Sequence, residues 1–358
     1  MIERYTMADL RRLQAESLDE KIDHSISMAE QFYLAEHGQC FISFSGGKDS
    51  TVLNHLVEVM APSRGDKLLA GIPLVYADTG LEYPEIREFA ASMGAVKVRP
   101  KENFLEVLRK YGYPIISKEI AHRIAAARRN PDNAGGKMLR GEYRMQSGEL
   151  SKRYNLSRWA PLLDLPIKIS DRCCDKMKKA PLHEYERETG RHAITGTTAA
   201  ESYIRMRGWI GRGCNAFSAQ GRKPKSNPLS PWLEQDVLHY IRKYDVKICS
   251  IYGEIVYRDA DGNDLDFALD QDKPLHCTGC DRTGCIYCPF GMHLERGETR
   301  YQRLRRTHPR QYEFSIGGGE WVTEDGKQLW MPNKKGLGFA KVFDMVNEIY
   351  GKGFYRYE

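Results

Sequence analysis

Six of the nine cysteines in this chain lie in two short segments, which is typical of a metal site. One segment places four cysteines within twelve residues, in the spacing C-x2-C-x4-C-x2-C, and the other contains an adjacent pair. The six are Cys173, Cys174, Cys277, Cys280, Cys285 and Cys288. Thiolates bind zinc and iron–sulfur clusters, and the four-cysteine segment alone would suit tetrahedral zinc. The spacing therefore predicts a metal or iron–sulfur centre and leaves its ligand set open.

The segment SGGKDS, residues 45–50, predicts a site for a phosphate group. It follows the apolar run CFISF and precedes a helical pattern, so its backbone N–H groups can converge on an anion at the start of the helix. Adjacent glycines let a ligand approach the backbone, Lys48 supplies a positive charge, and the hydroxyls of Ser45 and Ser50 can donate hydrogen bonds. The spacing differs from the GxxxxGK[ST] pattern of P-loop kinases and GTPases, which excludes that class.

Short apolar patterns alternate with helical patterns along much of the chain. The predicted strands are residues 40–44, 72–77, 95–100 and 192–195. Such an order predicts an α/β fold, with a parallel sheet and helices on both faces. Residues 7–37 have helical periodicity, with a capping box at Ser17 and Glu20. The expected regions are residues 1–37 (helical), 38–245 (α/β, with a basic insertion at about 118–160) and 246–358 (cysteine-containing, with basic helices).

Polar residues follow two of the predicted strands. Asp78 lies at the sheet edge where open α/β sheets bind ligands, so it could bind Mg²⁺ or a ribose hydroxyl, or it could be the N-cap of the next helix. After the strand 192–195, Arg205 and Arg207 could clamp phosphates while Glu201 and Ser202 orient a base or sugar. The alternative is that these four residues simply begin an exposed helix.

Composition and charge fit a globular protein with a polyanionic partner. The chain has 358 residues, 41% of them hydrophobic, and a formal net charge of +6. Residues 118–158 contain ten Lys or Arg against four Asp or Glu, and residues 296–310 are also basic. With Tyr143, Tyr154 and Trp159 interleaved for stacking, these segments suit tRNA or DNA, although a solvated surface would look the same.

We expect a cytoplasmic protein with no membrane partner. No uninterrupted apolar run reaches about 18 residues, and the first residues lack the apolar stretch of a signal peptide. An odd number of cysteines without such a signal argues against a disulfide framework. The remaining cysteines, Cys40, Cys214 and Cys249, are predicted to be packing residues.

The loop SGGKDS resembles the PP-loop of the nucleotide α-hydrolase superfamily, which cleaves or binds ATP between its α and β phosphates. Three further segments are similar to the phosphoadenylyl-sulfate (PAPS) reductase family: YADTGLEYPEI from Tyr76, GTTAAES from Gly196 and NPLSPWLEQDVLHYI from Asn227. Together they cover roughly residues 38–245, in family order. The resemblance implies a PP-loop fold that binds ATP or an adenylyl-sulfate-type nucleotide.

The resemblance also implies residue roles. Lys48, Asp49 and Asp78 would be catalytic, with Mg²⁺ positioned by either aspartate. The nucleotide-binding residues that it implies are Ser45, Gly46, Gly47, Lys48, Ser50, Asp78, Thr79, Gly80, Gly196, Glu201, Ser202, Arg205 and Arg207.

The cysteine segments carry a second resemblance. RCCDKMKKAPL, residues 172–182, is similar to the segment that binds a [4Fe–4S] cluster in adenylyl-sulfate (APS) reductases together with a distant CxxC. This implies a cluster on Cys174, Cys285 and Cys288, completed by Cys173 or by one of the two cysteines at 277 and 280, with zinc on 277–288 as the alternative. The pattern TGCDRTGC-x-x-C-x-FG resembles that of bacterial and phage PAPS-reductase-domain proteins.

One departure from the reductases shapes the expected function. PAPS and APS reductases use a C-terminal cysteine as nucleophile, yet no cysteine follows Cys288. We therefore expect an enzyme that activates an acceptor by adenylation, releasing AMP and pyrophosphate, for sulfur transfer with an iron–sulfur cluster. The alternatives are a PAPS or APS reductase, and a non-catalytic nucleotide- or nucleic-acid-binding protein with a structural metal site. The expected partners are an adenine nucleotide, a tRNA or DNA acceptor, and a sulfur donor or reductant protein.

Overall fold

A computed structural model describes residues 5–218, 223–259, 264–265 and 273–358. The chain divides into two compact units that interleave along the sequence. Unit 1 contains residues 1–78, 82–99 and 181–283, and unit 2 contains residues 79–81, 100–180 and 284–358. The units therefore alternate along the chain, whereas the sequence-based expectation was three consecutive regions.

Unit 1 is built on a six-stranded sheet that confirms the predicted α/β class. Its strands are β1 (Cys40–Phe44), β2 (Leu74–Ala77), β3 (Val96–Val98), β4 (His192–Thr195), β5 (Asn215–Ala216) and β6 (Lys225–Ser226). The spatial order is β3-β2-β1-β4-β6-β5, and all neighbouring pairs are parallel except β5 and β6. The central strand β1 is almost fully buried, as its uninterrupted apolar sequence requires.

Helices connect these strands. Those of residues 7–99 are α1 (Met7–Gln14), α2 (Leu18–Ala35), α3 (Lys48–His55), α4 (Ala61–Ser63) and α5 (Pro84–Ser92), with a π-helical stretch at Leu56–Met60. The later helices of unit 1 are α10 (Ala180–Thr189), α11 (Tyr203–Arg212) and α12 (Glu234–Lys243). The prediction of one helix over residues 7–37 is wrong, because Ser17 and Glu20 form the predicted capping box and start a second helix there.

The cysteine-containing end of unit 1 is a small antiparallel sheet. Strand β7 (Ile255–Arg258) lies between β8 (Asp264–Leu265) and β9 (Leu275–Cys277). The sequence predicted a hairpin here, centred on Asp261 and Gly262, and those two residues lie outside the described ones.

Unit 2 is mainly helical. Its helices are α6 (Phe104–Tyr111), α7 (Lys118–Arg129), α8 (Ala134–Leu139), α9 (Arg172–Cys174), α13 (Arg300–Thr307), α14 (Pro309–Ile316) and α15 (Phe339–Tyr350), and its strands are β10 (Glu320–Glu324) and β11 (Lys327–Met331). Unit 2 also contains 3₁₀-helices at Ser157–Asp164 and Met292–Leu294 and a π-helical stretch at Asp175–Lys179. Buried rings of Phe339 and Phe343 on α15 pack edge-to-face on Tyr301. In the described part of the chain, no helix is both long and apolar enough to cross a membrane.

A buried hydrogen-bond chain fixes α2 against the segment that leads into α12. The indole N–H of Trp232, a fully buried side chain, donates to Ser25 Oγ at 2.9 Å. The Ser25 hydroxyl in turn donates to the Pro228 carbonyl at 3.2 Å. Polar groups that are buried this deeply need such partners, so Ser25 determines where α2 packs.

We expect Ser25→Ala to lower the free energy of unfolding by about 1–3 kcal/mol, because it leaves the Trp232 indole N–H buried without its acceptor. Ser27→Ala on the same helix is the matched control, since Ser27 is only partly buried and accepts from Gln31 within the helix. Urea denaturation monitored by tryptophan fluorescence measures both. Equal stability of the two variants would contradict this role for Ser25.

Candidate functional site

The loop 45–50 is closed by hydrogen bonds among its own residues. Ser45 N–H donates to Ser50 Oγ at 3.2 Å, the Ser50 hydroxyl donates to the Gly47 carbonyl at 2.9 Å, and Gly47 N–H donates to Ser45 Oγ at 3.3 Å. Gly46 has φ +71°, and a Cβ there would lie 2.8 Å from Cγ2 of Ile86. The turn therefore requires glycine, and it leads directly into α3, whose first N–H groups have no partner within the helix.

The loops after β1 and β4 meet where the strand order of the sheet reverses. These two strands are neighbours, although β2 and β3 come between them in sequence. Gly196, just after β4, is so close to the start of α3 that a Cβ would lie 2.7 Å from the Asp49 carbonyl oxygen. Open α/β sheets bind ligands outside the carboxyl ends of their strands at such a reversal. Gly196 and loop 45–50, predicted separately from the sequence, thus lie together in unit 1.

Lys48 is directed into the interior of unit 1. Its side chain is 5% exposed, and Nζ lies 3.4 Å from Glu234 Oε1 and 3.6 Å from Cys277 Sγ. It also lies over the ring of Tyr252, 5.4 Å from the centroid. The lysine charge is thus balanced by a half-exposed carboxylate, with which an incoming phosphate would compete.

The two aspartates differ in their surroundings. Burial raises the pKa of Asp49, while the charges of Lys48 and Arg282 partly oppose that rise. Asp78, 6% exposed, pairs with Arg87 at 3.2 Å and with Arg99 at 3.3 Å. Helix α5 has Tyr83 as its N-cap, so the structure does not give Asp78 that role. Both oxygens of Asp78 are instead held by arginines.

The neighbours of Asp78 in sequence lie in unit 2. Thr79 Oγ1 accepts a hydrogen bond from Leu81 N–H at 3.1 Å, and Gly80 has φ +73°. Both residues belong to the short segment 79–81. The predicted site residues after β2 are therefore divided between the two units.

The residues predicted after β4 lie at the start of helix α11. Ser202 is its N-cap and accepts from Arg205 N–H at 3.3 Å. Glu201 pairs with Arg205 and lies 3.6 Å from Arg282. Arg207 is exposed on the same helix. This segment is therefore the start of a helix, as the alternative interpretation predicted. Arg205 and Arg207 both lie on that helix.

Four of the six clustered cysteines lie in unit 2 and influence one another. Cys173 donates a hydrogen bond to Cys174, which, together with the charges of Lys118 and Lys178, lowers the pKa of Cys174 to about 6 despite its burial. The pKa of Cys173 is raised by that hydrogen bond, by burial and by the nearby thiols of Cys285 and Cys288. These four thiols come from two separate segments, which suits the soft donor set of an iron–sulfur cluster. Within the described residues, no three His, Cys, Asp or Glu side chains are close enough together to hold a metal ion as they stand.

The other two cysteines lie in unit 1. Cys277 is at the end of β9, 3% exposed, and burial raises its pKa while Lys48 opposes that rise. Cys280 is 4% exposed and its thiol donates to the Arg282 carbonyl at 2.8 Å. The two CxxC motifs, adjacent in sequence, thus belong to different units.

Sequence analysis missed three residues that surround Lys48 and Asp49. Glu234 and Tyr252 contact Lys48, and Arg282 affects the pKa of Asp49. Glu234 lies within the segment NPLSPWLEQDVLHYI, which the resemblance quoted without giving this residue a role. Arg282 lies within the pattern TGCDRTGC-x-x-C-x-FG, which was quoted without giving this residue a role, whereas Tyr252 belongs to no quoted motif and only the fold identifies it.

The fold and site define an α/β protein in which a glycine-rich loop joins the first strand of a parallel sheet to a helix, at the point where strand order reverses. A family model described as the phosphoadenosine phosphosulfate reductase domain matches residues 39–109 and 141–290, more than half of the chain. The chain therefore belongs to the phosphoadenosine phosphosulfate reductase domain family. Family membership indicates an enzyme of sulfur metabolism.

Comparison with individual proteins gives a weaker likeness. Among solved structures, the chain is similar to phosphoadenylyl-sulfate (PAPS) reductase from Candida auris in its phosphate complex. The two share 15% sequence identity over 74% of this chain and 98% of that one, with a TM-score of 0.34. A search of curated proteins found no match.

We expect Gly196→Ala to weaken ATP binding at least tenfold, because the added Cβ would collide with the Asp49 carbonyl and separate the two loops. Gly208→Ala on α11 is the control, since its Cβ would meet only the tip of Arg212 at 3.7 Å. Isothermal titration calorimetry measures both affinities. Unchanged affinity in the Gly196 variant would show that ATP does not bind where these loops meet.

Proposed function

We propose that this chain binds ATP at loop 45–50 and activates an acceptor by adenylation, releasing pyrophosphate, as the first stage of a sulfur transfer. The observation that carries the proposal is the contact of Gly196 with the start of α3, which joins the loop after β4 to the glycine-rich loop after β1. This is where a parallel α/β sheet binds its ligand, and a helix N-terminus there favours a phosphate.

In this proposal, the loop residues stabilise charge on the departing pyrophosphate. The hydroxyls of Ser45 and Ser50 and the ammonium of Lys48 are donors that need little reorganisation, because hydrogen bonds and burial already hold them in place. Lys48 would exchange Glu234 for phosphate oxygens. Asp49 suits Mg²⁺ better than Asp78 does, since both oxygens of Asp78 are engaged by arginines.

We extend the proposal to a [4Fe–4S] cluster on Cys173, Cys174, Cys285 and Cys288. The support is that these thiols influence one another within unit 2 and that Cys174 favours the thiolate form. Lys118 and Lys178 would offset the negative charge of such a group. When bound, it would supply electrons or a site for the transferred sulfur.

A nucleic acid is the acceptor that we propose. The exposed basic residues of the insertion include Arg129, Lys137, Arg144, Lys152 and Arg158. One positive charge of the insertion is engaged within the protein, because the Arg128 guanidinium donates hydrogen bonds to backbone carbonyls, including that of Leu162 at 2.9 Å. Trp159 packs on Tyr350 at 5.2 Å between ring centroids, so it is less suited to base stacking than the sequence suggested.

A PAPS or APS reductase is the second candidate, favoured by the contact between Cys277 and Lys48. A Cys277 thiolate would attack the sulfonyl sulfur, the bond from that sulfur to the phosphate oxygen would break, and the nucleotide would leave. Cys280 would then displace sulfite and form a disulfide with Cys277, which an external dithiol would reduce. This route would supply the nucleophile that the C-terminal end of the chain lacks.

Product analysis separates these functions. With ATP and tRNA or DNA, we expect AMP and pyrophosphate, and we expect Lys48→Ala to reduce their formation at least tenfold because the departing charge loses its cation. Lys67→Ala, a change at an exposed lysine of unit 1, is the control. Sulfite from PAPS or APS, without AMP from ATP, would establish the reductase instead. Absence of turnover with all of these nucleotides would reject both enzymes.

We expect anaerobically purified protein to contain iron and absorb visible light, and Cys174→Ser to lower both because it removes a thiolate ligand. Cys249→Ser, a change at a buried cysteine of unit 1, should leave iron unchanged. Metal analysis and absorption spectroscopy measure this. Colourless protein that holds about one zinc and retains it in the Cys174 variant would exclude the cluster and indicate zinc at residues 277–288.

A further inference from the structure

A small polar cavity lies in unit 1 between the loop after β4, helix α11 and the segment after β6. Its volume is about 30 Å³. The lining side chains used here are Thr197, Arg205, Arg212, Asn227 and Ser230. All five can donate hydrogen bonds, and no carboxylate lines the cavity, so it is a place for a ligand that accepts them.

Two of the lining side chains are deeply buried and retain donors without a partner. Asn227 is 4% exposed and uses its side-chain oxygen to accept from Thr195 at 2.5 Å and from Thr197 at 2.8 Å. Its amide N–H groups donate to no described residue. The hydroxyl of Ser230, 5% exposed, likewise has no hydrogen-bond partner among the described residues. Both residues line the cavity, so these two donors are available to a ligand that accepts hydrogen bonds.

Positive charge accumulates around the same cavity. Lys225 on β6 is two residues before Asn227 and interacts with Arg212 and Arg205. Burial, followed by these two arginines, lowers the pKa of Lys225 to about 8. Arg205 pairs with Glu201, but neither Arg212 nor Lys225 forms an ion pair with any carboxylate in the described ranges.

The remaining nearby carboxylate is already engaged. Glu186 attracts Lys225 weakly, yet it forms its own ion pair with Lys223 at 2.7 Å. Arg212 and two neutral donors therefore line a cavity that no carboxylate lines, with the charge of Lys225 nearby. Holding like charges together in a partly buried place costs stability, which a protein tolerates where a ligand restores the balance.

We propose that this cavity is an oxyanion site, in which Arg212, Asn227 and Ser230 bind a tetrahedral phosphate or sulfate group and the nearby charge of Lys225 adds to the attraction. The group is either a free anion or part of a nucleotide. The proposal goes beyond the proposed function, because it requires neither ATP turnover nor Lys48. An anion there would receive charge-assisted hydrogen bonds from Arg212, and would accept hydrogen bonds from the amide and the hydroxyl.

The test uses thermal unfolding of the full chain, titrated with inorganic phosphate or sulfate against chloride at equal ionic strength. Lys48→Ala is the background, so that binding at loop 45–50 does not contribute. We expect phosphate to raise the melting temperature, and both Lys225→Met and Arg212→Gln to weaken apparent phosphate affinity at least tenfold. Lys247→Met, a change at an exposed lysine of unit 1, should not alter it.

The anion-free proteins give a second readout that a structural role would not produce. We expect Lys225→Met to melt at the same temperature as its parent or higher, because the substitution removes a desolvated charge that two arginines repel. A structural lysine would instead lower the melting temperature in all buffers. The Arg212 variant keeps the test informative if the Lys225 variant does not fold.

Competition with AMP distinguishes the two sources of the oxyanion. If phosphate weakens AMP binding, and if both variants bind phosphate and AMP more weakly, the site takes a phosphate of the nucleotide. If phosphate binds without affecting AMP, the site takes a free anion. Phosphate and sulfate that stabilise the Lys48→Ala protein no more than chloride does, or that stabilise every variant equally, would overturn the proposal.

Discussion

The close backbone approach at Gly196 is the constraint on which the candidate site depends. Strands β1 and β4 pair in parallel along residues 40–43, so their two following loops emerge side by side. Only a residue without a side chain lets the second loop reach the start of α3, where a Cβ would be 2.7 Å from a carbonyl oxygen. Loop 45–50, the start of α11 and the polar cavity are positioned through this one contact.

Charge is arranged around that contact in a way that stability alone does not explain. Lys48 is buried against a carboxylate and a thiol, Asp49 is buried with a raised pKa, and Arg212 lines a polar cavity and interacts with Lys225. Buried charges without full compensation cost free energy. Their concentration at one end of one sheet, and on both sides of Gly196, is typical of a site that binds a charged ligand.

The sequence predicted strands β1 to β4, because each lies in a short apolar run; β4, for example, occupies the predicted residues 192–195. Strands β5, β6, β10 and β11 were not predicted. Helix α11 was predicted only as an alternative, and Gly208 and Gly211 give its segment a poor helix propensity. Packing overrides that propensity, since Trp209 and Ile210 of α11 bury against Leu10 and Leu13 of α1. Such a long-range contact leaves no local pattern in the sequence.

The candidate site was predictable to the extent that its residues lie in short motifs. Loop 45–50 and Gly196 lie in such motifs, and both were predicted as site residues. Glu234 and Lys225 come from distant segments and were not predicted as site residues. The cysteines show the same limit, because their spacing allowed several ligand sets. The fold places the pair at 173 and 174 in the same unit as Cys285 and Cys288.

The interleaving of the two units has a consequence for protein synthesis. Domains tend to fold from the N-terminus as the chain emerges from the ribosome, but neither unit here is a continuous stretch of chain. Cys173 and Cys174 leave the ribosome well before Cys285 and Cys288, so the first two thiols are synthesised before the other two are present. The four thiols can therefore come together only when translation is nearly finished, and neither unit can be obtained by cutting the gene at a single point.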